Sequence, residues 1–288
     1  PNAVGLGVDK DVRDWLDDMP SDALAERLIG GVAYGEVPAE RRQHVLGALI
    51  KAHDENQFLI PPLPNTQFTR DTTAWIFGGV TLNPMRWPAR QHETVLASAI
   101  YSHHTAFTGR DFQFWYGRAE GDHGMSTLEG GDIMPIGNGT VLIGMGERSS
   151  WQAITQVARS LFTHHAARRI VVAAMAPDRA SMHLDTVFSF CDADLVTLYK
   201  PVVDTITSLV LEPSSQEAGF SVRVDDRHFT TVVADCLGLD GLRTVETGGD
   251  RWEAQREQWD DGNNVVALEP GVVVGYDRNT ETKIGRAS

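Results

Sequence analysis

The sequence predicts a mixed α/β fold, in which a helical N-terminal domain precedes a larger β-rich domain. Residues 1–56 carry apolar side chains at helical spacing. The stretch FLIPPLPN at 58–65 then contains three prolines, and proline is not tolerated in a helix interior. Beyond it, short β-branched runs alternate with glycine-containing turns. We therefore expect a domain boundary near residue 57, dividing the chain into residues 1–56 and 57–288.

Two helices are expected before this boundary. Ser21 is placed to cap the first helix, which should end at the glycine pair Gly30-Gly31. Pro38 suits the first position of the second helix. The apolar stripe of that second helix is formed by Val45, Leu46, Leu49 and Ile50.

Short strands and a few helices are expected after the boundary. Pro88 opens one helix, Ser149 or Ser150 caps a second, and Cys236 lies in an amphipathic third. The predicted strands are β-branched or aromatic runs bounded by turn residues. They cover residues 73–77, 140–145, 170–175, 184–190, 194–199, 205–211, 220–224, 242–246, 265–268 and 272–276.

Three stretches of this second part resemble one another, at residues 65–85, 129–150 and 258–279. Each has an acid, a short strand, a glycine-containing turn and a second strand, and a fourth acid begins the run at 182–190. Such units cannot bury an apolar face alone, so we expect them to pack around a common axis, although a mixed α+β sandwich stays open. The leading acids would then converge; they are Asp71, Asp132, Asp185 and Asp261.

Composition excludes several classes of function. The formal net charge of −14 argues against nucleic acid as a partner, which needs a basic face, and suits a cationic small molecule. No apolar run is long enough to span a membrane, and the first residues do not form a signal peptide. The two cysteines, Cys191 and Cys236, lie in apolar segments typical of a core. They do not indicate a disulfide scaffold, so a cytoplasmic location is expected.

The run His183-Leu184-Asp185 is the strongest candidate for chemistry. On a strand, the His183 and Asp185 side chains would point to the same face. Three interpretations stay open: a solvated polar pair, an acid/base histidine beside a carboxylate, or a metal site completed by Glu129 or Asp132. The run at 129–132 places those two acids around a glycine pair, where a ligand can approach the backbone closely.

Four motifs together resemble those of the arginine deiminase family, within the guanidine-modifying or pentein superfamily. They are PLPNTQFTRDTTAW at 62–75, EGGDIMPIGNGTVLIGMGERSS at 129–150, MHLDTVFSF at 182–190 and EQWDDGNNVV at 257–266. The resemblance implies a five-bladed propeller of pseudo-symmetric ββαβ units. It also implies that residues 1–56 are most of a helical domain inserted near the N-terminus.

The resemblance also implies a role for each matching residue. Asp71 and Asp185 would grip a substrate guanidinium, with Glu129 as a third acid beside it and His183 as the general acid/base. The substrate α-carboxylate end would be held by Asn65, Arg90 and Arg148. The implied reaction converts L-arginine to L-citrulline and ammonia, with no metal or other cofactor, in a homo-oligomer.

The nucleophile of this family is a cysteine in a glycine-rich segment near the C-terminus, and neither Cys191 nor Cys236 matches it. We therefore expect this chain to be an internal portion, without that segment and without the first propeller segment. Three alternatives follow: an arginine-binding protein without turnover, a related amidinotransferase, and a metal hydrolase using His183, Asp185 and Glu129.

Overall fold

The computed structural model describes residues 10–42, 54–117 and 123–282. Within them the chain has a mixed α/β fold with several separate β-sheets. No helix in these ranges is long and apolar enough to cross a lipid bilayer.

The N-terminal part begins with two helices, α1 (Lys10–Asp17) and α2 (Ser21–Gly30). The cap prediction was wrong by one residue, because Pro20 lies at the N-cap with extended backbone and Ser21 is already helical. Proline has a fixed φ and suits the residue that leads into a helix. The predicted end at Gly30-Gly31 is confirmed, with Gly31 at a φ of 85°.

Strand β1 (Val32–Ala33) pairs antiparallel with β2 (Phe58–Ile60). Pro38 precedes a 3₁₀ turn (Ala39–Arg41), and the apolar stripe predicted at 45–50 lies outside the described residues. Because β2 follows the predicted boundary and still pairs with β1, the division at residue 57 stays a prediction. The small core of this part consists of Val12, Leu16, Val32, Tyr34, Val37 and Ile60.

The first of the larger sheets has three strands: β3 (Thr73–Ile76), β4 (Gly79–Leu82) and β5 (Gln113–Tyr116). A short helix, α3 (Thr69–Thr72), leads directly into β3. Strands β3 and β4 form an antiparallel hairpin. Helix α4 (Gln91–His103), which follows a 3₁₀ turn opened by Pro88, then returns the chain so that β5 runs parallel to β4.

The central sheet repeats this order with β6 (Ile133–Gly137), β7 (Thr140–Met145), helix α5 (Trp151–Thr163) and β8 (Arg169–Ala174). The β6–β7 hairpin is antiparallel, and β8 is parallel to β7. Ser150 caps α5 by accepting a hydrogen bond from the Ala153 amide at 3.3 Å. The apolar face of α5 is buried, as its spacing predicts.

Two further strands, β11 (Thr207–Pro213) and β12 (Phe220–Asp225), extend the central sheet to the order β12-β11-β8-β7-β6. Alternate strand residues enter two different cores. Ile143 and Val172 pack on the α5 side, whereas Leu142 and Val171 pack on the other side with α7 (Phe229–Leu237). The sheet is therefore buried on both faces, which explains its continuous apolar runs.

The third sheet joins β9 (Phe188–Phe190), β10 (Leu195–Leu198) and β13 (Arg243–Glu246), in the order β13-β10-β9. A short helix, α6 (Lys200–Val203), follows β10. Strand β9 is antiparallel and β13 parallel to β10, as in the other two sheets. Here, however, β11, β12 and α7 lie between β10 and β13 along the chain. The strand predicted over 184–190 is wrong in its first half, since Leu184–Thr186 forms a 3₁₀ turn.

After α8 (Arg251–Trp259), the chain forms an isolated hairpin of β14 (Val266–Glu269) and β15 (Val272–Val274). Its apolar side chains are exposed, for example Leu268 at 68%.

A buried polar cluster ties the turn after α8 to the third sheet, and we call it the Asn263 cluster. Asn263 is fully buried; it accepts from Thr197 Oγ1 at 2.8 Å and donates to Thr247 Oγ1 at 2.8 Å. It also donates to Gln258 Oε1 at 2.9 Å. Glu257 belongs to the same cluster and accepts from the backbone amides of Glu281 and Thr282 and from the Thr282 hydroxyl.

Candidate active site

A cavity of about 850 Å³ lies where α3 meets the 3₁₀ turns Gly130–Asp132 and Leu184–Thr186, with the β14–β15 hairpin at its edge. Asp71 in α3, Asp185 in the second turn and Asp261 after α8 all line it. Asp132 is buried behind the wall. The four acids that lead the repeated units are thus brought together.

His183 lies at the centre of this region and is 5% exposed. Its Nε2 lies 2.8 Å from Glu129 Oε2, and its Nδ1 lies 3.9 Å from Asp71 Oδ1. Burial lowers the pKa of His183, but the hydrogen bond to Glu129 and the charges of Asp132, Asp185 and Asp71 raise it to about 9. The imidazole is therefore protonated at neutral pH.

Glu129 is fully buried, and donors surround its carboxylate. Besides His183, its carboxylate accepts from Arg148 Nη1 at 2.9 Å and from the Arg86 amide at 3.1 Å. Burial alone would raise its pKa. The His183 hydrogen bond and the His183 and Arg148 charges outweigh burial and hold the pKa of Glu129 below its ordinary value.

Asp132 and Ser149 brace the floor of the site. Ser149 Oγ donates to Asp132 Oδ2 at 2.6 Å, and the Leu184 amide donates to Asp132 Oδ1 at 2.9 Å. Burial raises the pKa of Asp132 to about 7, against the opposing charge of His183. Through its hydrogen bond from the Leu184 amide, Asp132 holds the 3₁₀ turn that follows His183.

Asp185 has one satisfied and one unsatisfied oxygen. Oδ2 lies 3.3 Å from Arg70 Nε, whereas the buried Oδ1 has no hydrogen-bond partner among the described residues. Burial raises the pKa of Asp185 to about 6, against the charges of Arg70 and His183. An unpaired oxygen on a buried carboxylate is costly unless a ligand supplies the donor.

The close packing of these groups depends on Gly131. A Cβ at this position would lie 2.7 Å from His183 Nδ1 and 3.1 Å from Asp185 Oδ1. Gly144 is equally close to Asp132, because a Cβ added at Gly144 would collide with Asp132 Oδ1. A side chain at either position would force these polar groups apart.

Arg90 and Arg148 both line the cavity, but each is bound to acids of the protein. Arg90 Nη1 donates to Asp71 Oδ2 at 2.8 Å, and its Nε and Nη2 donate to Glu93. Arg148 donates to Glu129 through Nη1 and to Glu147 through Nε at 3.3 Å. Neither guanidinium is left without an acidic partner.

The structure therefore places all seven predicted site residues at or against one cavity. Those lining it are Asn65, Asp71, Arg90, Arg148, His183 and Asp185. Glu129 does not line it; its carboxylate lies behind the cavity wall, bound to His183 Nε2 and Arg148 Nη1. Their chemical roles stay predictions.

The prediction that His183 and Asp185 share one face of a strand was wrong. The Val187 amide donates to the Leu184 carbonyl at 3.1 Å, which closes a 3₁₀ turn, and Asp185 lies inside that turn. Both side chains still approach Gly131, through the turn and not through strand alternation.

Several cavity residues were not predicted, among them Trp87, Arg179 and Met182. No pattern in the sequence distinguishes them from ordinary surface residues. Cys191 and Cys236 are buried core residues, as predicted, and neither lines the cavity.

The metal-site interpretation has one observation in its favour. Asp71, Glu129 and His183 offer ligand atoms within 4.8 Å of one another. However, His183 Nε2 and Glu129 Oε2 are 2.8 Å apart, a hydrogen-bond distance, and Arg148 Nη1 lies 2.9 Å from the same oxygen. An ion would have to displace both contacts. The third member of the predicted metal set, Asp185, is outside this group.

Comparison with known proteins gives a family and a set of similar folds. The model of the family described as arginine deiminase matches residues 2–285. The N-terminal domain of ArgZ, bound to substrate and described as an arginine dihydrolase from the ornithine-ammonia cycle in cyanobacteria, matches with a TM-score of 0.50 and 15% identity. That match covers 79% of this chain and 67% of that chain, and supports the mixed α/β fold alone.

Two other solved structures match with lower scores. DDAH from Pseudomonas aeruginosa, complexed with citrulline, has a TM-score of 0.47 and 15% identity, covering 90% of this chain and 84% of that chain. Apo ArgZ has a TM-score of 0.49 and 16% identity, covering 78% of this chain but 28% of that chain. This chain thus spans about a quarter of the length of that ArgZ chain.

Proposed function

The chain belongs to the arginine deiminase family, and from that premise we propose that its cavity binds the guanidinium group of L-arginine for hydrolysis to L-citrulline and ammonia. The observation that carries the proposal is the buried carboxylate oxygen of Asp185, which lines the cavity and has no partner among the described residues. The N–H donors of a guanidinium would satisfy it.

A guanidinium is planar and presents its donors in a fixed fork, so it is best bound by carboxylates that approach in its plane. Asp71 and Asp185 both line the cavity, as His183 does, and Asp71 Oδ1 lies 3.9 Å from His183 Nδ1. Asp71 is shared with Arg90 and Asp185 with Arg70, which holds the two carboxylates in place before a ligand arrives.

His183 is suited to move the protons of the reaction. Because its pKa of about 9 keeps it protonated at neutral pH, it can donate a proton to the departing nitrogen as the C–N bond breaks and ammonia leaves. The resulting neutral imidazole can then accept a proton from the water whose oxygen becomes the ureido oxygen of citrulline. Glu129 stabilises the protonated form through its 2.8 Å contact with Nε2.

The family resemblance implies that a cysteine thiolate attacks the guanidinium carbon, which is a poor electrophile. Among the residues that the structure describes, no cysteine lines the cavity. The described residues therefore account for binding and proton transfer, and not for the nucleophile.

Asn65, Arg90 and Arg148 are proposed to lie near the amino-acid end of the substrate. Support for this is strongest for Asn65, which lines the cavity while its backbone amide donates to Glu93 Oε1 at 3.1 Å. For the two arginines, a substrate carboxylate would compete with protein acids already bound to them.

We also propose that the three sheets with this shared strand pairing contribute blades of a five-bladed propeller, with residues 57–288 forming its catalytic domain and residues 1–56 part of an inserted helical domain. The support is the shared order of an antiparallel hairpin followed by a parallel third strand. Assembly as a homo-oligomer and a cytoplasmic location remain part of this proposal.

Isothermal titration calorimetry with L-arginine, L-citrulline and L-lysine tests the binding step. We expect L-arginine to bind and L-lysine, a cation without the planar fork, to bind at least about tenfold more weakly. Equal affinities would show a general cation site and contradict the proposal.

A second candidate is an arginine-binding protein without turnover, favoured by the lack of a cysteine among the described cavity residues. Incubation of the protein with arginine, without any added amine, separates the candidates. Release of citrulline and ammonia indicates hydrolysis, whereas binding heat without either product indicates the second candidate.

A further inference from the structure

Arg179 is a cavity residue to which the family resemblance assigns no role. It lies on the loop between β8 and the 3₁₀ turn at Leu184–Thr186, lines the cavity and is exposed. It differs from the other cavity arginines because its guanidinium contacts a thioether and not a carboxylate.

The other three arginines are each bound to a carboxylate: Arg70 to Asp185 at 3.3 Å, Arg90 to Asp71 at 2.8 Å and Arg148 to Glu129 at 2.9 Å. Within the described ranges, Arg179 has no such ion pair. Arg179 Nη1 donates to Met182 Sδ at 3.2 Å, and a thioether is only a weak acceptor. Its donors therefore remain largely available.

The charge of Arg179 acts at longer range on Asp261. Burial raises the pKa of Asp261, and the charge of Arg278 opposes this shift more strongly than the charge of Arg179 does. Arg278 forms its own ion pair with Asp260 at 3.6 Å and does not line the cavity.

A continuous row of contacts connects Arg179 to the acidic end of the cavity. Met182 Sδ accepts from Arg179 on one side and from Arg148 Nη2, at 3.3 Å, on the other. Arg148 in turn contacts Glu129, which contacts His183. The cavity thus has buried acids at one end and an available cation at its rim, displaced from them by this row.

We propose that Arg179 binds the carboxylate of the substrate's amino-acid end and makes the site selective for guanidines that carry a free carboxylate. This inference rests on the proposed function. The chemistry is complementary, because arginine has a guanidinium at one end and a carboxylate at the other. A carboxylate that meets Arg179 forms a charge-assisted hydrogen bond without displacing a protein acid.

The test compares L-arginine with agmatine, which has the same guanidinium and no carboxylate. Affinities for both are measured by calorimetry with the wild-type chain, Arg179→Gln, Arg179→Lys and Arg278→Gln. The last variant is the matched control, because it removes an equal charge near Asp261 from a residue outside the cavity wall. Circular dichroism spectra check that each variant folds, which is expected since both arginines are exposed.

We expect Arg179→Gln to weaken binding of L-arginine by about tenfold while affinity for agmatine changes little, so that the ratio of the two affinities collapses. Arg179→Lys should retain part of the ratio, since it keeps the charge and loses the fork. Arg278→Gln should leave the ratio unchanged, because Arg278 is paired with Asp260 and does not line the cavity.

Two results overturn the inference in distinguishable ways. If the wild-type chain binds neither ligand, the proposed function fails and the inference fails with it. If the wild-type chain binds L-arginine and Arg179→Gln preserves the ratio, or weakens both ligands equally, the proposed function stands and the role of Arg179 is wrong.

Discussion

This molecule contains two buried polar clusters that differ in how completely their groups are paired. In the Asn263 cluster, the side-chain oxygen and nitrogen of both Asn263 and Gln258 have partners, and both oxygens of Glu257 accept hydrogen bonds. In the cluster around His183, one Asp185 oxygen has no partner in the described chain, and burial and charge displace several pKa values.

The difference separates a cluster whose pairing is complete within the fold from one that leaves a carboxylate oxygen unpaired on a cavity-lining residue. Buried polar groups normally find partners, and of the buried side-chain atoms without one in the described residues, only Asp185 Oδ1 belongs to a residue that lines the cavity. Shifted pKa values also concentrate at reactive sites, because burying ionisable groups close together there lowers the stability of the fold. The comparison predicts that substitutions in the two clusters affect different measured quantities.

The largest effect is expected from His183→Ala, which removes the proton donor. In a preparation that turns over arginine, ammonia release should fall by about 100-fold or more. Affinity for arginine should not fall, because a protonated imidazole repels the guanidinium cation. Ammonia assays and calorimetry measure the two quantities separately.

His164→Ala is the matched control, since His164 is an exposed histidine at the end of α5 that contacts the Ser160 carbonyl. It should leave turnover unchanged. Unaltered ammonia release in His183→Ala would remove His183 from the reaction.

A smaller effect, on stability alone, is expected from Asn263→Ala. The substitution leaves the Thr197, Thr247 and Gln258 side chains without their buried partner, which should lower the free energy of unfolding by about 2 kcal/mol. Urea denaturation measures this loss. Below the transition, affinity for arginine should stay within about threefold of wild type; a selective loss of binding would mean that the two clusters are coupled.

The smallest expected effect, about tenfold in arginine affinity at pH 8, comes from Asp185→Asn, which removes a charge that faces the guanidinium. Stability should not fall at this pH. Since burial raises the pKa of Asp185 to about 6 from an ordinary value of 3.8, ionisation favours the unfolded chain as pH rises between these values.

The pH dependence of binding sharpens this last prediction. In the wild-type chain, arginine affinity should decline as pH falls through about 6, because Asp185 becomes protonated. The decline should be weaker in Asp185→Asn. Identical pH profiles for the two proteins would show that another group controls binding.

Local signals in the sequence predicted much of the fold. The apolar stripe of α5, its Ser150 cap and the strand at Thr140–Met145 all follow from side-chain spacing and capping chemistry, which act within a few residues. The convergence of acids also followed from the repeated units. The 3₁₀ turn at Leu184–Thr186 did not, because its residues are compatible with a strand until the Asp132 carboxylate holds the Leu184 amide.

The ion pairs of the site could not be predicted from the sequence. Arg148 and Glu129 are 19 residues apart, and Arg70 and Asp185 are brought together from different units. Which arginine is bound to a protein acid, and which is left available at Arg179, depends on distances that only the folded chain sets. The residue types in the motifs therefore indicated where these side chains would gather. They did not indicate which arginine pairs with which carboxylate.

Gly131 and Gly144 limit how this site can change over evolutionary time. A methyl group at position 131 would meet the His183 ring, and one at position 144 would meet Asp132. Even the smallest substitution at either position must therefore be accompanied by movement of a charged group. Variation in ligand preference is more accessible at the rim, where Trp87 and Arg179 are exposed and can be exchanged without rebuilding the floor.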